Sequence, residues 1–155
     1  MNQSHYISPE GLLKLKEELL DRQNRIRKEI TEKISIAKEQ GDLSENFEYS
    51  NAKEMQAMNE TRIGELEEIM KNAVIIQSQE GGTTISLGAS FTVQLPGGIN
   101  KIFTIVGSTE SDPMAGKISN ESPLGQAFLG KSIGDEVNIP LPSGANIKYE
   151  IISIQ

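Results

Sequence analysis

Gly41-Asp42-Leu43-Ser44-Glu45-Asn46-Phe47-Glu48-Tyr49 decides how the first half of the chain folds. Upstream, Ser8 before Pro9 supplies a helix N-cap followed by proline at the first helical position. Nothing breaks the helical pattern from there to Gly41, a residue favoured just past a helix C-terminus. The implied helix has roughly 30 residues and is about 45 to 50 Å long at about 1.5 Å per residue. Leu12, Leu15, Leu19, Ile26, Ile30, Ile34 and Ala37 form one apolar stripe at helical spacing, with Arg22 interrupting it. A second helix is predicted to start near Asp42 or Ser44 and to run to about Asn72. Its stripe is Ala52, Met55, Ile63, Leu66, Ile69 or Met70, and Ala73. Two such helices joined by so short a break fold back on each other, which predicts an antiparallel coiled-coil hairpin with one narrow seam.

Composition divides at the same place as the pattern. Of 14 glycines and 6 prolines, only Gly11, Gly41, Gly64 and Pro9 precede Glu80, whereas most charged side chains lie before it. From Val74 onward the apolar period becomes two. Strands are predicted in Val74–Ile76, Ala89–Leu95, Lys101–Val106, Asp135–Leu141 and Asn146–Ile154, with hairpin turns at Pro96-Gly97-Gly98 and Pro142-Ser143-Gly144. Ser122-Pro123 opens a short helix ending at Gly130. The fold class is therefore α+β: residues 1–77 form a helical hairpin with an acidic tip at 41–49, and residues 78–155 form a small domain with a mostly antiparallel sheet. The segment Gln77–Thr84 reads as the linker.

The 155-residue chain has no cysteine, which removes disulfides, thiol nucleophiles and cysteine-based metal sites, and agrees with a reducing compartment. Its one histidine, His5, lies in an N-terminal stretch expected to be mobile, so a serine–histidine triad or a histidine-rich metal site lacks material. No apolar run approaches the roughly 18 residues of a membrane span, and no secretory signal pattern opens the sequence. The net charge of −7 argues against broad coating of nucleic acid.

Three carboxylates and two aromatics crowd into the tip. In the simplest reading Asp42 and Glu45 form a capping box whose charge complements the helix dipole, and Phe47 and Tyr49 plug the hairpin end. In the sharper reading Asp42 and Glu45 supply hard oxygen ligands to a Mg²⁺ held partly by another molecule, since two carboxylates are too few for a dedicated cage. Arg22, Arg25, Arg27 and Lys28 form a basic cluster on the first helix, best read as pairing with Asp21, Glu18, Glu29 and Glu32 at helical spacing.

The tip, followed by Ala52-Lys53-Glu54 and Arg62-Ile63-Gly64-Glu65-Leu66-Glu67, resembles the bacterial transcript cleavage factors of the Gre family, nearest the GreA branch. The resemblance continues through Gly116-Lys117-Ile118-Ser119, Ser122-Pro123-Leu124-Gly125 and Leu129-Gly130-Lys131-Ser132-Ile133-Gly134-Asp135, and departs from the family pattern at Phe47, Ser50 and Asn51. It implies an FKBP-like C-terminal domain that docks on bacterial RNA polymerase, and a coiled coil that enters the secondary channel. The polymerase then cleaves the 3′ end of a backtracked RNA. Carried over by position, Asp42 and Glu45 assist the Mg²⁺ of the polymerase active site, with Ser44 and Asn46 shaping the turn. Lys53 falls near the RNA end, and Ser122 and Pro123 in the loop that meets the channel rim on the largest subunit. The implied protein is a cytoplasmic monomer with no cofactor of its own and no membrane partner, an activator of the polymerase's own nuclease activity. An inhibitor that plugs the channel without promoting cleavage is the main alternative. A prolyl isomerase is a weaker one, because only Phe91, Phe103, Phe128 and Tyr149 are available to line its pocket.

Overall fold

The computed structural model describes residues 4–41, 46–77 and 81–155. In space the chain forms two compact units, Leu12–Asn72 and a second made of the residues up to Gly11 together with Ala73–Gln155. The expected division at 77/78 follows the sequence, whereas the spatial units exchange both ends of the first segment. The reason is a short parallel ladder between β1 (His5–Ile7) and β2 (Ala73–Ile75), in register His5 to Ala73 and Ile7 to Ile75. His5, expected in a mobile stretch, is therefore in a strand. Ile7 is fully buried, and Gly107 lies so close to the Tyr6 carbonyl that a Cβ there would collide with backbone.

The helical unit is a hairpin. Its first arm begins with α1 (Pro9–Asp21), whose start is capped as the Ser-Pro pair predicts: the Ser8 hydroxyl accepts from the Gly11 N–H at 2.9 Å. The Glu110 carboxylate accepts in turn from the Ser8 N–H at 2.7 Å and from its hydroxyl. The arm continues through Arg22–Ile26 into α2 (Arg27–Glu39), and the return arm is α3 (Phe47–Lys71). Ile30 and Ala37 from the first arm and Ala52, Ile63 and Leu66 from the second are buried, on the faces that the spacing indicates.

Two features of the hairpin differ from expectation. The first arm is not one continuous α-helix, because Arg22–Ile26 is a π-helical turn in which the Arg27 N–H reaches back five residues to the Arg22 carbonyl. The turn falls where Arg22 interrupts the apolar stripe. Arg22 lies opposite Asn59, the one buried polar residue among those described. The Asn59 side-chain amide donates to the Arg22 carbonyl and accepts from its guanidinium, both at 3.3 Å. The return arm also starts later than expected. Asn46 has extended dihedrals and is the N-cap, so the helix begins at Phe47 and not near Asp42 or Ser44.

Ion pairs flank the seam. Arg62 makes two hydrogen bonds to Glu18 across the arms, at 3.0 and 3.1 Å, and Glu18 also accepts from Arg22 at 2.8 Å. Arg27 grips Glu60 in the same two-pronged way, at 2.8 and 2.7 Å. Arg25 pairs along its own helix with Asp21 and Glu29. Arg22 and Arg25 thus pair at helical spacing, as read from the sequence, whereas Arg27 pairs across the seam with Glu60. The Arg62 hydrogen bond lowers the pKa of Glu18 against a smaller opposing effect of burial; Arg25 lowers Asp21 and Arg27 lowers Glu60.

The second unit holds a five-stranded mixed sheet in the order β5-β4-β3-β7-β6, built from β3 (Ser90–Leu95), β4 (Ile99–Val106), β5 (Lys117–Ser119), β6 (Glu136–Pro140) and β7 (Asn146–Ile154). Four strands were legible as alternating runs and pair antiparallel. The three-residue β5 runs parallel to β4 and was too short to register as a pattern. Gly97 and Gly98 take the positive φ that the three-residue turn between β3 and β4 requires. The helix α4 (Pro123–Phe128) packs against β5 and β6, and Phe91, Phe103, Phe128 and Tyr149 form one aromatic core with ring centroids 4.9 to 6.3 Å apart. Those rings pack against one another, with Phe91 and Phe128 fully buried.

Glu18, Asp21 and Glu60 bind protons less readily folded than unfolded. The stability they contribute is therefore complete above about pH 5 and is lost as pH falls through about 4 and below. The denaturation midpoint of the helical signal is expected to fall over that window, with Glu18→Gln shallowing the slope; an equal slope in the variant contradicts the assignment. Asn59→Ala leaves the Arg22 carbonyl and guanidinium short of partners and is expected to cost about 1–3 kcal/mol in urea denaturation. A shift within error of zero would show that Asn59 does not tie the arms.

Candidate functional site

The tip segment is framed by Gly41 and Asn46. Gly41 ends the first arm with a φ of 119°, a value that glycine adopts without strain. Asn46 starts the return arm and joins both: its side-chain carbonyl accepts from the Tyr49 N–H at 3.1 Å, and its amide donates to the Ala37 carbonyl at 2.8 Å. One side chain thus caps a helix N-terminus and satisfies a carbonyl near the C-terminus of the partner helix. Asn46 is thus the cap of the helix that begins at Phe47. Asp42, Ser44 and Glu45 lie outside the described residues; in the sequence they fall between Gly41 and Asn46.

Lys53 is exposed two turns into α3, and its ammonium donates to Gln56 at 2.7 Å. Phe47 is not a plug. It is 82% exposed, while Tyr49 is half-buried. The first position of a two-helix hairpin has no neighbouring layer to cover a ring. A groove of about 440 Å³ runs beside it between the arms, with Lys33 and Ile36 on one side and Phe47, Asn51 and Met55 on the other.

Ser122 and Pro123 belong to the other unit. Pro123 is exposed at the first position of α4, and the Ser122 hydroxyl is committed internally, accepting from the Gly125 N–H at 3.0 Å and donating to the Ser119 carbonyl at 2.7 Å. Gly125 is buried so tightly against the Ser119 backbone that any side chain would collide with it. Ser122 and Gly125 therefore fix the loop, and Pro123 is the part of it that faces outward.

Among the described residues no group of three or more histidine, cysteine, aspartate or glutamate side chains is placed to hold a metal ion. The donor set of Asp42 and Glu45 suits a hard cation such as Mg²⁺, which prefers oxygen ligands in octahedral geometry, but fills only part of its coordination sphere. No helix among the described residues is long and apolar enough to cross a membrane. Sequence reasoning missed Asn59 and the π-helical turn, for which the break in the stripe at Arg22 was the available signal.

Two family models divide the chain between them. Residues 5–75 match the transcription elongation factor N-terminal model of GreA and GreB, and residues 80–155 match the corresponding C-terminal model. The transcription elongation factor GreA of Shouchella clausii is 46% identical over 153 residues, covering 97% of this chain and 96% of that one. The GreA of Staphylococcus aureus strain Newman is 43% identical, covering 99% of each. Among solved structures, GreA factor homolog 1 of Thermus thermophilus aligns over 99% of both chains at 27% identity with a TM-score of 0.44. The chain belongs to the GreA/GreB family of transcription elongation factors.

Proposed function

We propose that the chain binds bacterial RNA polymerase, inserts its helical hairpin into the secondary channel and stimulates hydrolysis of a backtracked RNA 3′ end by the polymerase itself. The observation that carries this reading is the hairpin built around its tip. Two long arms, held by Asn59, Arg62–Glu18 and Arg27–Glu60, are tied at one end by Asn46, and the sequence between Gly41 and Asn46 contains Asp42 and Glu45. A first arm of about 45 Å can carry two carboxylates deep into a narrow channel.

Asp42 and Glu45 then complete the ligand set of a Mg²⁺ belonging to the polymerase. The ion, when bound, lowers the pKa of a coordinated water and neutralises charge on the phosphodiester. Water adds to the phosphorus, the ribose 3′-oxygen leaves and takes up a proton, and a short fragment with a 5′-phosphate is released. Asn46 ties the two arms next to the segment that carries the acids and Ser44 in sequence, and Lys53 stands on the exposed face of α3 where it can meet a phosphate of the displaced RNA. In the other unit, Pro123 meets the channel rim of the polymerase's largest subunit, with Ser122 shaping that loop from within. The chemistry belongs to the polymerase, so the chain acts as a cytoplasmic activating factor and not as a nuclease.

The test is cleavage in stalled elongation complexes. Wild type is expected to yield shortened RNA that resumes synthesis, while Asp42→Asn and Glu45→Gln reduce the rate by about 100-fold or more and still compete with wild type for polymerase. A double variant with full activity, or a wild type that slows synthesis and yields no shortened RNA, contradicts the proposal.

A further inference from the structure

Phe47 and the groove beside it have no role in the metal chemistry, and their composition describes a ligand. The ring is 82% exposed at the first turn of α3, an arrangement that presents a flat apolar surface to whatever meets the tip. Across the groove stands Ile36, itself 55% exposed, and the floor is Ala52 with Met55. The rim is polar: the Asn51 amide offers a donor and an acceptor, Lys33 offers a cation, and the Glu48 carboxylate offers an acceptor suited to a base amino group and not to a phosphate. A groove of about 440 Å³ lies within the roughly 300–1,000 Å³ range of small-molecule sites. Two exposed apolar side chains fall far short of the roughly 800 Å² per partner that a stable protein interface buries. An aromatic face, a hydrogen-bonding edge and a nearby cation together suit a nucleobase with its phosphate.

We propose that this groove is a nucleobase site in which Phe47 stacks on a base of the RNA 3′ segment, Asn51 meets the base edge and Lys33 meets the adjoining phosphate. This deepens the proposed function and rests on its claim that the tip meets RNA. Phe47 follows Glu45 by two residues in the sequence, so a base held here is anchored within a few residues of the proposed metal-assisting acids. The stack limits the motion of the displaced strand and raises the fraction of time the scissile phosphate spends in line with the attacking water.

The experiment compares the full-length wild type with Phe47→Leu and Phe47→Trp on stalled elongation complexes, measuring cleavage rate at saturating factor and the factor concentration for half-saturation. Phe47→Leu retains apolar character and loses the π-face, so its saturated rate is expected to fall on the order of tenfold, the size of one lost base stack. Phe47→Trp is expected to keep at least the wild-type rate, and half-saturation is expected to be unchanged in both. A wild-type rate for Phe47→Leu overturns the site. Equal losses in both variants with a raised half-saturation point assign the ring to a polymerase surface and also overturn it. No cleavage by the wild type contradicts the reading beneath it, separately from either variant.

Discussion

A two-helix hairpin has only one seam, and that constraint governs most of what the helical unit does. Each arm buries a stripe one or two residues wide, so apolar burial from Ile30, Ala37, Ala52, Ile63 and Leu66 is spread thinly along its length. Register must then be set by directional contacts. Asn59 ties the π-helical turn of the first arm to the return arm, Arg62 and Arg27 make two-pronged grips on Glu18 and Glu60, and Asn46 closes the end. Surface ion pairs contribute little one at a time, but paired geometry across a seam fixes alignment even where it adds little stability. The same thinness leaves nothing to cover Phe47.

The second unit solves a different problem. Its sheet closes around an aromatic core, and short elements bind its margins: β1 and β2 form a small ladder, Glu110 holds the capped start of α1 through Ser8, and Gly125 lets α4 lie directly on the Ser119 backbone. The loop opened by Ser122 is rigid because its hydroxyl is used twice internally. A loop fixed in this way loses little entropy in any contact it makes.

Much of this was legible in the sequence because it depends on local rules. The apolar stripes, the Ser8-Pro9 and Ser122-Pro123 starts, the glycine turns and four strands each follow from spacing or a backbone requirement. What was not legible depends on partners distant in sequence. The strands β1 and β5 are three residues long and exist through pairing with β2 and β4. The π-helical turn lies opposite Asn59, which bonds Arg22 from 37 residues away along the chain. Asn46 caps α3 while reaching across to the Ala37 carbonyl, and Phe47 is exposed because no third layer covers it. Of the candidate site, the acids could be named from residue type; the groove beside Phe47 required the structure.

The central claim is that the chain lends two carboxylates to a metal that another enzyme holds. The Mg²⁺ dependence of RNA cleavage in stalled elongation complexes, measured with and without the chain, tests it most directly. Added ligands predict that the Mg²⁺ concentration for half-maximal cleavage falls when the chain is present and returns to the factor-free value with Asp42→Asn. An unchanged Mg²⁺ requirement alongside accelerated cleavage would contradict the claim.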